Sequence, residues 1–190
     1  MGRVSTNAFV NPLQSKALPN LWIENGSLVN FSDSTGMFNI PNITAPTAST
    51  IRLKGKYASV QIGGTAGRTP AFTHTLQPNS TIDTLFFDGR GTSPDTASMD
   101  AVFGYYHVNV VHDYMKGFYP TFTRMDNALP TNIDLTSGTC NAFYNGSSIN
   151  FYRQGGGCPS FALVADVIYH EYGHGINDKY YQNGGFTFQN

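Results

Sequence analysis

Charge is scarce in this chain. Charged residues make up 12% of the 190 positions and the formal net charge is −1, so nothing builds the basic field that attracts nucleic acid or an anionic membrane surface. No apolar run reaches the roughly 18 residues that a spanning helix needs, and Met1 to Thr6 does not lead into the apolar region of a signal peptide. Glutamate is nearly missing, with Glu24 and Glu171 as its two occurrences. Cysteine is confined to Cys140 and Cys158, which lack the paired short spacing of a structural zinc cluster. Against these absences stand 40% hydrophobic and 14% aromatic residues, too many for a disordered tail. The length suits one or two domains with a core of their own.

One of the two glutamates lies inside His170-Glu171-Tyr172-Gly173-His174, an H-E-x-x-H arrangement. With five histidines and two glutamates in the whole chain, coincidence is a weak explanation. Residues four apart on a helix share a face, with Cβ atoms roughly 5–6 Å apart, so both imidazoles can converge on one ion. Neutral imidazole binds Zn²⁺ at about 2.0–2.1 Å, and a catalytic site adds a third ligand and leaves one position open for water. Glu171 then turns toward that water as a general base. The flanks read as helix: Cys158-Pro159-Ser160 gives a stop and an N-cap, and Phe161, Val164, Val167 and Ile168 recur at the spacing of a buried face, predicting a helix to about Lys179. Gly173 and Gly175 each cost about 1 kcal/mol in that helix, which points to a close approach by another backbone, expected at Gly173.

Upstream, the run from Cys140 through Asn141-Ala142-Phe143-Tyr144-Asn145-Gly146 to Tyr152, followed by Asp166-Val167-Ile168-Tyr169-His170-Glu171, resembles the entry to the active-site helix of thermolysin-type zinc peptidases. Within that group, Phe103-Gly104-Tyr105-Tyr106-His107-Val108-Asn109-Val110-Val111-His112-Asp113-Tyr114 resembles the fungalysin branch. The resemblance covers about the C-terminal half of the chain. It implies an α+β fold, with a β-rich N-terminal half followed by the N-terminal lobe of a thermolysin-like peptidase and the active-site helix near the C-terminus.

The resemblance also implies a zinc ligand set of His170, His174 and a glutamate on a following helix. The metzincin pattern is excluded, because its glycine and last histidine positions hold Asn177 and Tyr180. Asp178 lies eight residues from His170, about 12 Å along one helix, too far to share an ion. No glutamate follows Glu171. The third ligand is therefore expected beyond Asn190, with any oxyanion-stabilising histidine or tyrosine. The chain alone is expected to bind zinc weakly and catalyse poorly.

Asn141 to Phe151 alternates and is broken by Asn145-Gly146, a hairpin signal. An edge strand there would let an extended peptide pair with it, and the resemblance implies that Asn141 and Ala142 hold the substrate backbone. Taken alone, without the downstream motif, the segment reads as an ordinary hairpin at the sheet edge. Cys140 and Cys158 flank it, so a disulfide in an oxidising compartment would add on the order of 3 kcal/mol, with free buried thiols as the alternative.

The first half reads as β. Leu21-Trp22-Ile23, Ser27-Leu28-Val29, Met37-Phe38-Asn39-Ile40, Thr50-Ile51-Arg52-Leu53 and Tyr57 to Ile62 are short runs between turn residues, suiting a small antiparallel sheet or sandwich. Residues 63–80 read as a linker or long loop. From Ser93-Pro94-Asp95 a helix is predicted over Ala97 to Lys116, so residues 1–92 are taken as a β-rich segment and 93–190 as an incomplete lobe. His107 and His112 are about 140° apart on that helix and are poor co-ligands. His112 with Asp113 is a possible hydrogen-bonded pair, and His74 falls in loop-like sequence. Asn-x-Ser/Thr sites occur at Asn25, Asn30, Asn42, Asn79 and Asn145.

The expectation is a secreted, extracellular zinc metalloendopeptidase acting on peptides or proteins, with no nucleic acid or membrane partner. Lacking a leader, it would be cut from a longer precursor, in keeping with the abrupt C-terminus. The alternative is a non-catalytic secreted β-rich or pro-segment module whose metal site is a relic or structural.

Overall fold

A computed structural model describes residues 1–64, 66–78, 85–87 and 98–182. Strands β1 (Gly2–Val4) and β2 (Gln14–Lys16) pair antiparallel as a separate ribbon. Then follow β3 (Leu21–Asn25), β4 (Leu28–Phe31), β5 (Thr47–Gly55), β6 (Ala58–Ile62), β7 (Ala71–Leu76), helix α1 (Met99–Phe118), β8 (Leu129–Leu135), β9 (Ala142–Tyr144) and β10 (Ile149–Tyr152). A single 3₁₀ turn at Phe161–Leu163 leads into helix α2 (Ala165–Tyr181). The fold is α+β, with its strands concentrated in the N-terminal half. No described helix is long and apolar enough to cross a membrane.

One mixed sheet of eight strands carries the molecule in the order β4-β3-β5-β6-β8-β10-β9, with β7 added on β5. The β6–β8 and β8–β10 pairs are parallel and the rest antiparallel. Within the N-terminal half every strand pair is antiparallel, as predicted, and the parallel pairs arise where β8 of the C-terminal half joins β6 and β10. Parallel neighbours need a crossover connection, and α1 lies between β6 and β8 in the chain. The sheet runs through both sides of the predicted 92/93 boundary, which itself lies outside the described residues, as do Asn79 and the Ser93-Pro94-Asp95 helix start.

The period-2 rule explains β5, where Ser49, Ile51, Leu53 and Gly55 point inward and alternate with partly exposed residues. Helix α1 crosses the sheet over β5, β6 and β8. Gly104 permits the approach, since a Cβ there would lie 3.1 Å from Thr131 and 3.2 Å from Ile133. Phe103, Tyr105, Val108, Val60, Leu53, Ile133 and Phe151 are fully buried between the layers, each contributing about 1.5–3 kcal/mol of transfer free energy.

Several sequence readings need correction. Met37 to Ile40 is not a strand. The presumed linker contains β7, and His74 sits in that strand rather than in a loop. The predicted helix from Phe161 is broken at Val164, which is extended (φ −123°, ψ 112°), so α2 starts at Ala165. The cause is tertiary: Val164 bridges to Asn7, the Ala8 N–H donates to Leu163 O (3.1 Å), and the Ala165 N–H donates to Thr6 O (2.9 Å). The N-terminal segment thus takes the backbone groups that a continuous helix would have used.

A candidate metal centre beside the sheet edge

Helix α2 packs on α1, β9 and β10 through Ala165, Ile168, Tyr172 and Gly175. Those positions follow the 3.6 period, which leaves His170 and His174 exposed one turn apart. Their Nε2 atoms lie 3.0 Å from each other and their rings stand nearly perpendicular, with centroids 4.6 Å apart. Two nitrogens at that separation can each lie about 2.0–2.1 Å from a shared ion. The pair therefore fits two positions of a zinc site. Among the described residues, no group of three or more His, Cys, Asp or Glu side chains converges to complete it.

Glu171 lies 100° further round the helix and is buried, with 5% of its surface exposed. Desolvation raises its pKa above the ordinary carboxylate value, while His170, His174 and a hydrogen bond from the Tyr144 backbone oppose the shift. Burial wins, so this carboxylate holds a proton more readily than a solvated one.

The neighbouring strand β9 is the edge of the sheet. Its bonds to β10 can be followed residue by residue. The Asn145 N–H donates to Ser148 O (3.1 Å), and the Tyr152 N–H donates to Asn141 O (3.3 Å). Antiparallel pairing alternates, so residues 141, 143 and 145 bond inward and the backbone groups of Ala142 and Tyr144 face away from the sheet. Tyr144 uses its outward N–H on Glu171. The main-chain groups of Ala142 face away from β10, on the edge side of the strand that packs beside the helix carrying both histidines.

The model of the thermolysin metallopeptidase catalytic domain matches residues 22–178, from β3 to the last turn of α2. The chain belongs to the thermolysin family of metallopeptidases. No curated protein matches it. The match begins well before the motif and takes in most of the β-rich half of this thermolysin relative, together with both helices. As a thermolysin-type metallopeptidase it acts on peptide or protein substrates.

The remaining sequence candidates lie as follows. Asn141 is exposed and Ala142 is buried at the start of β9. Cys140 and Cys158 are joined in a disulfide with Cα atoms 5.2 Å apart, which ties the start of β9 to the loop before α2. The hairpin turn spans residues 145–148 rather than two residues, with the Asn145 Oδ1 accepting N–H bonds from Ser147 (3.1 Å) and Ser148 (2.9 Å) and Gly146 at φ +92°.

The other histidines are structural. His107 is buried, its Nε2 donating to Ser5 O (2.7 Å) and its Nδ1 2.8 Å from the Tyr169 hydroxyl. Desolvation lowers its pKa. His112 stacks on Tyr57 at 3.5 Å and contacts Asp113 (3.3 Å) and Asp126 (3.0 Å). Asp126 escaped the sequence reading because it belongs to the loop after α1. Gly173 meets nothing within 4 Å of a built Cβ. The close approach is at Gly175, where a Cβ would lie 3.1 Å from Met125 and 3.4 Å from Tyr144.

Proposed function

We propose that this protein is a secreted, zinc-dependent metalloendopeptidase in which His170 and His174 hold the metal and Glu171 is the general base. The carrying observation is the 3.0 Å convergence of the two Nε2 atoms on an exposed helix face, next to a buried carboxylate. Zinc held there would supply Lewis acidity, polarising the peptide carbonyl and making water acidic enough to lose a proton near neutral pH. Glu171, beside the two histidines on the same helix, would take that proton and pass it to the leaving amine. Asn141 and Ala142 hold the substrate: the outward N–H and C=O of Ala142 align an extended peptide along β9, and the exposed Asn141 side chain caps its backbone.

The third ligand in this reading is a glutamate carried beyond Asn190, since no third acidic or histidine side chain joins the pair among the described residues. The disulfide supports an oxidising, extracellular setting. The Asn109, His112 and Asp113 pattern on α1 supports a fungalysin-like branch.

The test is Glu171→Gln in the full-length protein. Zinc content by metal analysis stays at the wild-type level while peptide hydrolysis falls about 10²–10⁴-fold, the range for loss of a general base. Hydrolysis retained at the wild-type rate would remove Glu171 from the mechanism.

A further inference from the structure

Tyr144 touches helix α2 at three successive points along one stripe. Its backbone hydrogen-bonds Glu171, its ring edge lies 3.4 Å from where a Cβ on Gly175 would be, and its hydroxyl donates to Asp178 Oδ2 at 2.9 Å. Positions 171, 175 and 178 are i, i+4 and i+7, a single helix face about 10 Å long. We propose that Tyr144 and Asp178 are positioning residues for the peptidase reaction, forming a splint that fixes edge strand β9 against the metal-bearing helix. The inference rests on the peptidase reading above.

A three-residue strand with a neighbour on one side only is easily displaced. The substrate nevertheless has to meet the main-chain groups of Ala142 and the carboxylate of Glu171 in one fixed register. Misplacement by about 1 Å can cost 10²-fold in rate. The splint supplies that register from the far end of the helix. Asp178 is kept as an ionised acceptor: burial alone would raise its pKa, but hydrogen bonds from Tyr144, Lys179 (3.1 Å) and Gln182 (2.9 Å) lower it. Lys179 also donates to Gly146 O (3.1 Å), securing the hairpin turn at a second point. Gly175 has no side chain in the space that the Tyr144 ring and Met125 occupy.

The experiment compares Tyr144→Phe, Asp178→Ala, Asp178→Asn and the double variant Tyr144→Phe/Asp178→Ala in the zinc-loaded full-length enzyme, measuring zinc affinity, KM and kcat on one peptide. Expected are a fall of about tenfold in kcat/KM carried mainly by KM, with zinc affinity within twofold of wild type. Asp178→Asn, which keeps an acceptor, recovers part of the Asp178→Ala loss. The double variant is no worse than either single one, because both remove the same bond. The splint is overturned if both single variants keep kcat/KM within twofold of wild type, if their effects add, or if zinc affinity falls in step with activity, which marks a purely structural role. A wild-type enzyme without peptide hydrolysis overturns the peptidase reading itself and this inference with it.

Discussion

Asp134 carries a pH dependence that can be measured without any substrate. It sits at the end of β8 with φ +58°, where the β8–β10 register shifts, and faces Asp100 at the start of α1. Asp100 is buried and already accepts from the Ser98 and Ser160 hydroxyls. Asp134 hydrogen-bonds to it in the protonated form. Desolvation first, then repulsion from and hydrogen bonding to Asp100, push its pKa from 3.8 up to about 6, against the opposing pull of Arg153 and Arg68. The folded state therefore binds this proton more tightly than the unfolded chain does. The stability it confers is fully present below about pH 3.8 and is lost as pH rises through about 6. The interval corresponds to at most about 3 kcal/mol, which solvent screening at a half-buried group cuts to about 1 kcal/mol. Asp134→Asn keeps the hydrogen bond and tolerates positive φ, but never ionises. Thermal denaturation should show the variant about 2–4 °C more stable than wild type at pH 7.5 and indistinguishable from it at pH 4. An equal difference at both pH values, or a destabilised variant at pH 7.5, would refute this account of the Asp134 proton.

The two helix glycines should respond in opposite senses. Gly173→Ala should stabilise by about 0.5–1 kcal/mol, since its Cβ enters open space and helix propensity rises. Gly175→Val should destabilise by about 1–3 kcal/mol by crowding Met125 and Tyr144, and thermal melting of both variants checks the contrast. Reducing the Cys140–Cys158 bond, or replacing Cys158 with Ser, should cost about 3 kcal/mol for an 18-residue loop. A lower urea midpoint in the oxidised wild type than in the variant would contradict it.

What could be read from the sequence was what repeats locally. The metal helix, α1, the hairpin and strands β3, β5 and β6 all carry their own period or turn signal. Strand β8 was not identified although it lies at the centre of the sheet, because Leu129-Pro130-Thr131-Asn132 contains a proline and polar residues that normally argue against a central strand. Asn132 and Asn150 are buried there and pair with each other at 2.8 Å, a solution visible only once β8 and β10 are neighbours. Strands β1 and β2 are three residues each and carry too little pattern to stand out. At the site, His170, Glu171 and His174 were evident from spacing alone. The roles of Tyr144 and Asp178 depend on where an edge strand lands on a helix, with the two residues 34 apart in sequence, which no local pattern encodes.

The pairing of Thr6 and Ala8 with Leu163 and Ala165 sets where the metal-bearing helix begins. Because Leu163 O and the Ala165 N–H are held by residues 6 and 8, the helix starts at Ala165 instead of running on from Phe161. A segment more than 150 residues away in sequence thereby anchors the entry to the turns that carry His170, Glu171 and His174.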